Sequence, residues 1–169
     1  MYKRQEYEGT YPLPEAQLDR FLVRIDVGYP SAEDEQRLLQ LEHDGVRPAR
    51  LDDVTAVATA RDLARVREEV SEVRASDDVV AYVAALVRRT RELPSVALGA
   101  SPRAGVHLLA AARATAAMAG RHFVTPDDVI GVAPAVLRHR LILRPEAELE
   151  HYRADDAVAA AIAAVPVPR

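Results

Sequence analysis

The sequence predicts a mainly α-helical fold, a helical bundle preceded by a short lead-in of one helix and one strand. Alanine accounts for 31 of the 169 residues and tryptophan is absent, and small unbranched side chains favour closely packed helices. Several segments open on a Ser or Thr followed by acidic residues or proline, the usual start of a helix. The clearest of these segments carries apolar residues every three or four positions, so one of its faces is expected to be buried.

The lead-in covers residues 1–30. Residues 1–12 are polar and contain glycine and proline, which predicts a loop, and a short helix is expected over 14–20 with Pro14 in its first turn. A half-buried strand is predicted over 21–27, because apolar side chains alternate there with more polar ones: Phe21, Val23, Ile25 and Val27. Gly28-Tyr29-Pro30 ends that strand.

Residues 31–169 are predicted to form a separate helical domain. Four N-caps are expected in it, at Ser31, Ser76, Ser101 and Thr125. Helices are predicted over 31–43, from Asp52 or Asp53 to about Glu68, and over 76–91, 101–120, 125–138 and 155–164. Residues 70–73 are ambiguous between a helix end and a short strand, and residues 141–143 are predicted to form a strand end.

The composition excludes several classes of protein. A formal net charge of −4 argues against binding nucleic acid by bulk electrostatics. The chain has no cysteine, and therefore no disulfide, thiol nucleophile or thiolate metal site. Charges interrupt every apolar run before the ~18 residues of a membrane span, and the N-terminus lacks the apolar core of a secretory signal. A cytoplasmic protein is expected.

Known catalytic motifs are also missing. A phosphate-binding loop needs a glycine-rich stretch that ends in lysine, and the single lysine, Lys3, has no glycine before it. No uninterrupted apolar strand leads into an acidic pair, as the Walker B motif requires. The five histidines show no metal-ligand spacing, and no Gly-x-Ser-x-Gly motif is present. The chain is therefore not expected to be catalytic by itself.

Three stretches carry a family resemblance. They read EGTYPLPEAQLDRF over 8–21, LGASPRA over 98–104, and GRHFVTPDDV over 120–129 followed by VLRHRL over 136–141. In content, order and spacing they resemble MoxR-family AAA+ ATPases. The resemblance implies an AAA+ lid-like helical domain over 31–169 and, over 1–30, a remnant of the AAA+ core. In that family the phosphate loop lies upstream of the first stretch, so a fragment without nucleotide binding of its own is expected.

The same resemblance assigns roles to individual residues. Arg20, in the Leu-Asp-Arg-Phe stretch, resembles an arginine finger that acts in trans on a neighbouring subunit, for which a permanently charged planar guanidinium is suited. Arg103 resembles the sensor-2 arginine, which contacts ATP in its own subunit. Ser101 as N-cap and Pro102 at the first helical position place Arg103 in a first turn, where a phosphate is favoured.

Simpler roles remain open for these residues. Arg20 is alternatively a surface arginine paired with Asp19 or Glu15, and Arg103 an arginine on a solvated helix face. The basic cluster over 138–140 is expected at a helix end or an interface rather than on nucleic acid, because the chain is acidic and no aromatic residues interleave with the cluster.

At the level of the whole protein, the resemblance implies ATP and Mg²⁺, ring oligomers, and chaperone-like remodelling of protein complexes with partners that include von Willebrand A domain proteins. A free-standing helical module for protein interaction or regulation, built on the same lid fold, is the alternative. A helix-turn-helix regulator is disfavoured by the acidic net charge.

Overall fold

The computed structural model describes residues 13–45 and 53–168. The described parts are mainly helical, as predicted, and the helices α1 to α8 span Glu15–Leu18, Ala32–His43, Ala60–Glu72, Asp77–Glu92, Pro102–Met118, Pro126–Leu137, Pro145–Leu149 and Ala154–Ala164. A 3-10 turn, Arg138–Arg140, follows α6. The described residues form two compact units, one of residues 13–24 with 69–168 and the other of residues 25–45 with 53–68. The predicted loop over 1–12 lies outside the described residues.

The core of the larger unit is built from small side chains. Helix α5 packs against α6 and α4 through a stripe of fully buried residues at four-residue spacing: Ala104, Leu108, Ala112 and Ala116. Helix α4 contributes the predicted stripe, which is buried at every position: Val79, Val83, Leu86, Val87 and Thr90. Because alanine adds so little bulk to a helix surface, neighbouring helices can approach closely here.

Helix starts follow the predicted capping chemistry at three of the four expected sites. The side chains of Ser31 and Ser76 accept hydrogen bonds from the amides three residues later. Thr125 and Asp128 form a complete capping box at the start of α6. The helices over 32–43, 77–92 and 126–137 therefore begin where the sequence indicates. Ser101 behaves differently and is described with the candidate site.

A two-stranded antiparallel sheet is formed by β1, Val96–Leu98, and β2, Ile142–Leu143. The strand end predicted over 141–143 is confirmed as β2. Its partner β1 was not predicted, because three residues in a loop are too short to show a period. Helix α7, a single turn, is likewise absent from the sequence prediction.

The strand predicted over 21–27 does not form. No residue between 21 and 30 is in a strand, and the apolar side chains expected to be half-buried are exposed, Ile25 by 77% and Val27 by 93%. A strand requires a neighbouring strand for its amide and carbonyl groups, and within the described parts of the chain this segment has only a single backbone bond of that kind, from the amide of Arg24 to the carbonyl of Ala135 in α6. The carbonyls of Phe21 and Leu22 instead accept hydrogen bonds from the side chain of Arg140.

Helix α3 also differs from its prediction. It begins at Ala60 rather than near Asp53, and its start is stabilised by Asp62, whose carboxylate accepts hydrogen bonds from the amide and the hydroxyl of Thr59. The alternative cap, Asp52, lies outside the described residues. The helix continues to Glu72, so most of the ambiguous segment over 70–73 is helical. None of the helices in the described residues is long and apolar enough to span a membrane.

Candidate functional site

The loop that leads into α5 is fixed to the end of α4. The amide of Ala100 donates to the buried hydroxyl of Thr90 at 3.0 Å, and Nε of Arg91 donates to the carbonyl of Ala100 at 2.8 Å. A Cβ on Gly99 would lie 2.7 Å from the backbone of Arg91, so only glycine allows this approach. The start of α5 is therefore held in a defined position by the neighbouring helix.

Ser101 occupies the N-cap position of α5 without capping it through its side chain. Its backbone is extended, and the helix begins at Pro102 as predicted. The expected side-chain cap is wrong, because the hydroxyl turns to the carboxylate of Asp19, with oxygens at 2.9 and 3.0 Å. A capping serine oxygen accepts from an amide, whereas here the hydroxyl donates to a charged acceptor, a strong hydrogen bond that holds the side chain on Asp19.

Arg103 lies in the first turn of α5 with about half of its side chain exposed. The Nη1 atom is 3.6 Å from Oδ2 of Asp19, an ion pair at the surface. Helix α5 has no acidic residue in its first turn, whereas the other helices of eight or more residues in the described parts each carry at least one. A cation at the positive end of a helix is unfavourable by itself and suits a site for an anion.

Arg140 lies beneath this surface, with 1% of its side chain exposed. Its Nε donates to Oδ1 of Asp19 at 3.2 Å. The two terminal nitrogens donate to four backbone carbonyls and approach the ring of His107, the carbonyls being those of Asp19, Phe21, Leu22 and Val136. One buried guanidinium therefore joins the segment after α1 to α5 and α6.

The two histidines near Arg140 are held neutral. The pKa of His107 is lowered by burial and then by the charge of Arg140, and its Nδ1 lies 2.6 Å from Nη2 of Arg140. Nη2 carries two N–H groups, and it lies close to three partners, this ring nitrogen and the carbonyls of Asp19 and Phe21. Burial also lowers the pKa of His139, whose Nε2 lies 3.2 Å from the carbonyl of Phe21. The pKa of Arg140 is lowered by burial and raised by Asp19, and its ordinary value is high enough to keep it charged.

Arg20 lies in the turn directly after α1 and is exposed. Its expected alternative partners do not hold it: Asp19 is occupied by Ser101, Arg103 and Arg140, and within the described residues Arg20 forms no ion pair. The strand predicted to follow Arg20, which would hold its backbone, is absent. Arg140 replaces it by holding the carbonyls on either side of Arg20.

The structure thus brings Ser101, Pro102 and Arg103 together with Asp19, the residue next to Arg20. We call the group of Asp19, Ser101, Arg103 and Arg140 the Asp19 cluster. Sequence reasoning did not find the roles of Asp19 and Arg140. Their side chains meet across 121 residues, and no local pattern indicates a contact between such distant positions.

The arrangement can bind and position an anion. Within the Asp19 cluster the hydroxyl of Ser101 donates to the carboxylate of Asp19, and Arg103 and Arg140 supply two positive charges. In the described residues no group of three His, Cys, Asp or Glu side chains could hold a metal ion. The basic cluster over 138–140 faces protein rather than an open groove, since Arg138 pairs with Asp155 at 3.2 Å and Arg140 is buried.

Known proteins share this sequence and fold. Residues 88–161 match the model of the AAA lid domain. The chain is 43% identical over 163 residues to the uncharacterized protein YeaC of Bacillus subtilis and 43% identical over 151 residues to the chaperone MoxR1 of Mycobacterium tuberculosis. It is 33% identical over 186 residues to protein MoxR of Paracoccus denitrificans. These alignments include 96%, 84% and 96% of the chain.

A solved structure, a proposed ATPase from Cytophaga hutchinsonii, superposes on 98% of the chain with a TM-score of 0.86 and 31% identity. The chain spans about half the length of the curated relatives it matches, 50%, 39% and 53% of each, and 52% of that structure. The family resemblance drawn from the three sequence stretches is confirmed by these likenesses.

Proposed function

This chain carries the AAA lid domain of a MoxR-type AAA+ protein, and on that premise we propose that it serves an ATPase by bringing two arginines to ATP held elsewhere. Arg103 acts as sensor 2 on the nucleotide of its own subunit. Arg20 acts as an arginine finger on the nucleotide of a neighbouring subunit. The phosphate loop and the Walker B acid belong to a core whose motifs this sequence lacks.

The observation that carries the proposal is the first turn of α5. It combines a half-exposed guanidinium on Arg103 with a helix start that has no side-chain cap and no acidic residue. The positive end of the helix dipole favours an anion at this position. A phosphate group would replace Asp19 as the partner of Arg103 and would lie at the positive end of the helix.

Arg20 supports the proposal from the other side of the Asp19 cluster. An arginine finger must be exposed, charged and held at a fixed place in the chain. Arg20 is exposed, and Asp19, its neighbour in sequence, is engaged by other groups. The buried guanidinium of Arg140 fixes the backbone on both sides of it.

ATP and Mg²⁺ are the ligands of the proposed assembly. Mg²⁺ would neutralise part of the charge on the phosphates. Its ligands would come from the core, because the described residues of this chain form no metal-binding group. A subunit-to-subunit finger further requires a ring or another oligomer. One relative is named a chaperone, and we extend to this chain chaperone-like remodelling of protein complexes, with von Willebrand A domain proteins as candidate partners.

Steady-state hydrolysis by the assembled ATPase, this chain together with its nucleotide-binding core, tests the proposal. We expect R20A to lower kcat by roughly 10³-fold, as removal of an arginine finger does, and R103A to lower it by at least about tenfold, the effect of losing one charge-assisted contact to the phosphate. R89A is the matched control, because Arg89 makes an exposed ion pair with Glu92 outside the Asp19 cluster.

Mixing subunits shows whether Arg20 acts in trans. R20A subunits combined with subunits that have an inactive Walker B acid should recover part of the activity, because each supplies what the other lacks. Unchanged hydrolysis by both R20A and R103A would overturn the proposal and favour the alternative, a helical module that uses the lid fold only to bind proteins.

A further inference from the structure

Asp19 stands between the two arginines that the proposed function uses. It precedes Arg20 in sequence, and its side chain contacts Ser101 and Arg103 at the start of α5. We propose that Asp19 is a positioning residue that couples the arginine finger of a subunit to the nucleotide state of that same subunit. The inference rests on the proposed function of Arg20 and Arg103 and adds to it a route between two ATP sites.

The first step of the argument is mechanical. The carboxylate of Asp19 accepts from Nε of Arg140 at 3.2 Å and from the hydroxyl of Ser101 at 2.9 Å. The backbone carbonyl of Asp19 accepts from Nη2 of Arg140 at 3.2 Å. Both the side chain and the backbone of Asp19 are thus fixed to the helical domain. A displacement of the α5 start therefore moves the segment that carries Arg20.

The second step concerns which contact can break. Arg140 is buried and cannot leave without stranding a charge. Arg103 is about half exposed and lies 3.6 Å from Asp19, beyond hydrogen-bond distance, so its ion pair is the weakest contact of the Asp19 cluster. A triphosphate carries more charge than one carboxylate and offers several acceptor oxygens. It would draw Arg103 away from Asp19 and leave Arg140 and Ser101 in place.

Loss of the ion pair with Arg103 changes the charge balance at Asp19, next to Arg20. When Arg103 turns to the nucleotide, Asp19 loses one of its two cationic partners, and its charge is less neutralised beside the finger. Finger placement towards one neighbour then depends on whether the subunit's own site is filled. The arrangement has two nucleotide sites, the subunit's own and its neighbour's, and two states, with the subunit's own site empty or filled. The contact between Arg103 and Asp19 differs between these states, as an energetic coupling between sites requires.

A mutant cycle on kcat of the assembled ATPase tests the coupling. The four proteins are the parent, R20A, R103A and the double variant, each made with Asp19 intact and again with D19N. With Asp19 intact, we expect the loss in the double variant to differ from the product of the single losses by at least about fivefold, the lower end of usual site-to-site coupling. In the D19N series the losses should multiply to within about twofold.

Two further variants make the result decisive. D155N is the matched control, since Asp155 pairs with Arg138 outside the Asp19 cluster, and it should keep the full non-multiplicative effect. S101A removes one hydroxyl contact to Asp19 and leaves the Arg140 pair, so it should reduce the coupling at least twofold while the melting temperature stays near the parent value. If D19N does not fold, S101A decides alone.

Coupling that persists unchanged in D19N and S101A overturns this inference, as does multiplicative behaviour with Asp19 intact. Both results leave the proposed function standing, provided that R20A and R103A each slow hydrolysis. If neither single variant slows hydrolysis, the proposed function itself fails. The two failures are therefore distinguished by the same set of measurements.

Discussion

Replacing Arg140 with methionine removes the one buried cation of the Asp19 cluster while keeping much of the side-chain volume. In the parent structure the guanidinium donates to the carboxylate of Asp19 and to carbonyls on both sides of Arg20. Methionine can donate to none of them. We expect R140M to destabilise the larger unit and to release the segment after α1 from the helical domain.

The expected loss of stability in R140M depends on how deeply each partner of the Arg140–Asp19 ion pair is buried. Breaking a fully buried ion pair by removing one partner costs about 3–5 kcal/mol. Arg140 is 1% exposed but Asp19 is 22% exposed and can rehydrate, so the lower end, about 3 kcal/mol, applies. For a chain of this size each kcal/mol lowers the melting temperature by about 2–4 °C. The expected decrease is roughly 6–12 °C.

Thermal denaturation followed by circular dichroism measures this decrease, and amide exchange locates it. The amides of Phe21 and Arg24 should exchange faster in R140M, because they lie in the segment that the guanidinium fixes and donate to the carbonyls of Leu18 and Ala135 respectively. R89M is the control: it removes an exposed ion pair, worth at most about 1 kcal/mol. A decrease of less than about 2 °C in R140M, with exchange unchanged, would refute the account of how Arg20 is positioned.

Two further outcomes are expected from the helical core. Asp128 is 5% exposed and paired with Arg121, and the hydrogen bond from Arg121 is the main reason that its pKa is lowered to about 2. The stabilisation from this carboxylate is therefore complete above about pH 4 and is lost as the pH falls towards 2. Urea titrations should show that the stability of D128N depends less steeply on acid pH than that of the parent, and an identical dependence would contradict the assignment. The variant G99A places a Cβ 2.7 Å from the backbone of Arg91 and should lower the free energy of unfolding by about 1–3 kcal/mol. The control G131A has open space around its Cβ and should stabilise α6 by up to about 1 kcal/mol. If calorimetry ranks the two variants in the opposite order, the loop before α5 is not held by close contact.

Local signals in the sequence were sufficient for most of the helices. At three helix starts the capping residue and its partner lie within four positions of each other, and the helices begin there as predicted: Ser31, Ser76 and Thr125. Apolar spacing also identified the buried face of α4, because a helix repeats its environment every 3.6 residues. These features depend on neighbours in sequence, which a single sequence contains.

The features that the sequence predicted wrongly or not at all depend on contacts between residues far apart in the chain. The alternation over 21–27 predicted a strand, but alternation indicates a strand only if another strand is available for pairing, and no partner is present in the described part of the molecule. Ser101 has the sequence of an N-cap, yet its hydroxyl is drawn to Asp19, 82 positions away. The role of Arg140 likewise becomes visible only when the chain is folded. The family resemblance pointed to Arg20 and Arg103 as candidate site residues but not to the carboxylate between them.

A structure of the assembled ATPase with Mg²⁺ and a slowly hydrolysed ATP analogue tests the central claim most directly. We predict that the guanidinium of Arg103 leaves Asp19 and lies about 3 Å from a phosphate oxygen in its own subunit, at hydrogen-bond distance, while Arg20 points to the γ-phosphate of the neighbouring subunit. Arg103 still paired with Asp19, on a surface that does not face the nucleotide, would contradict the account.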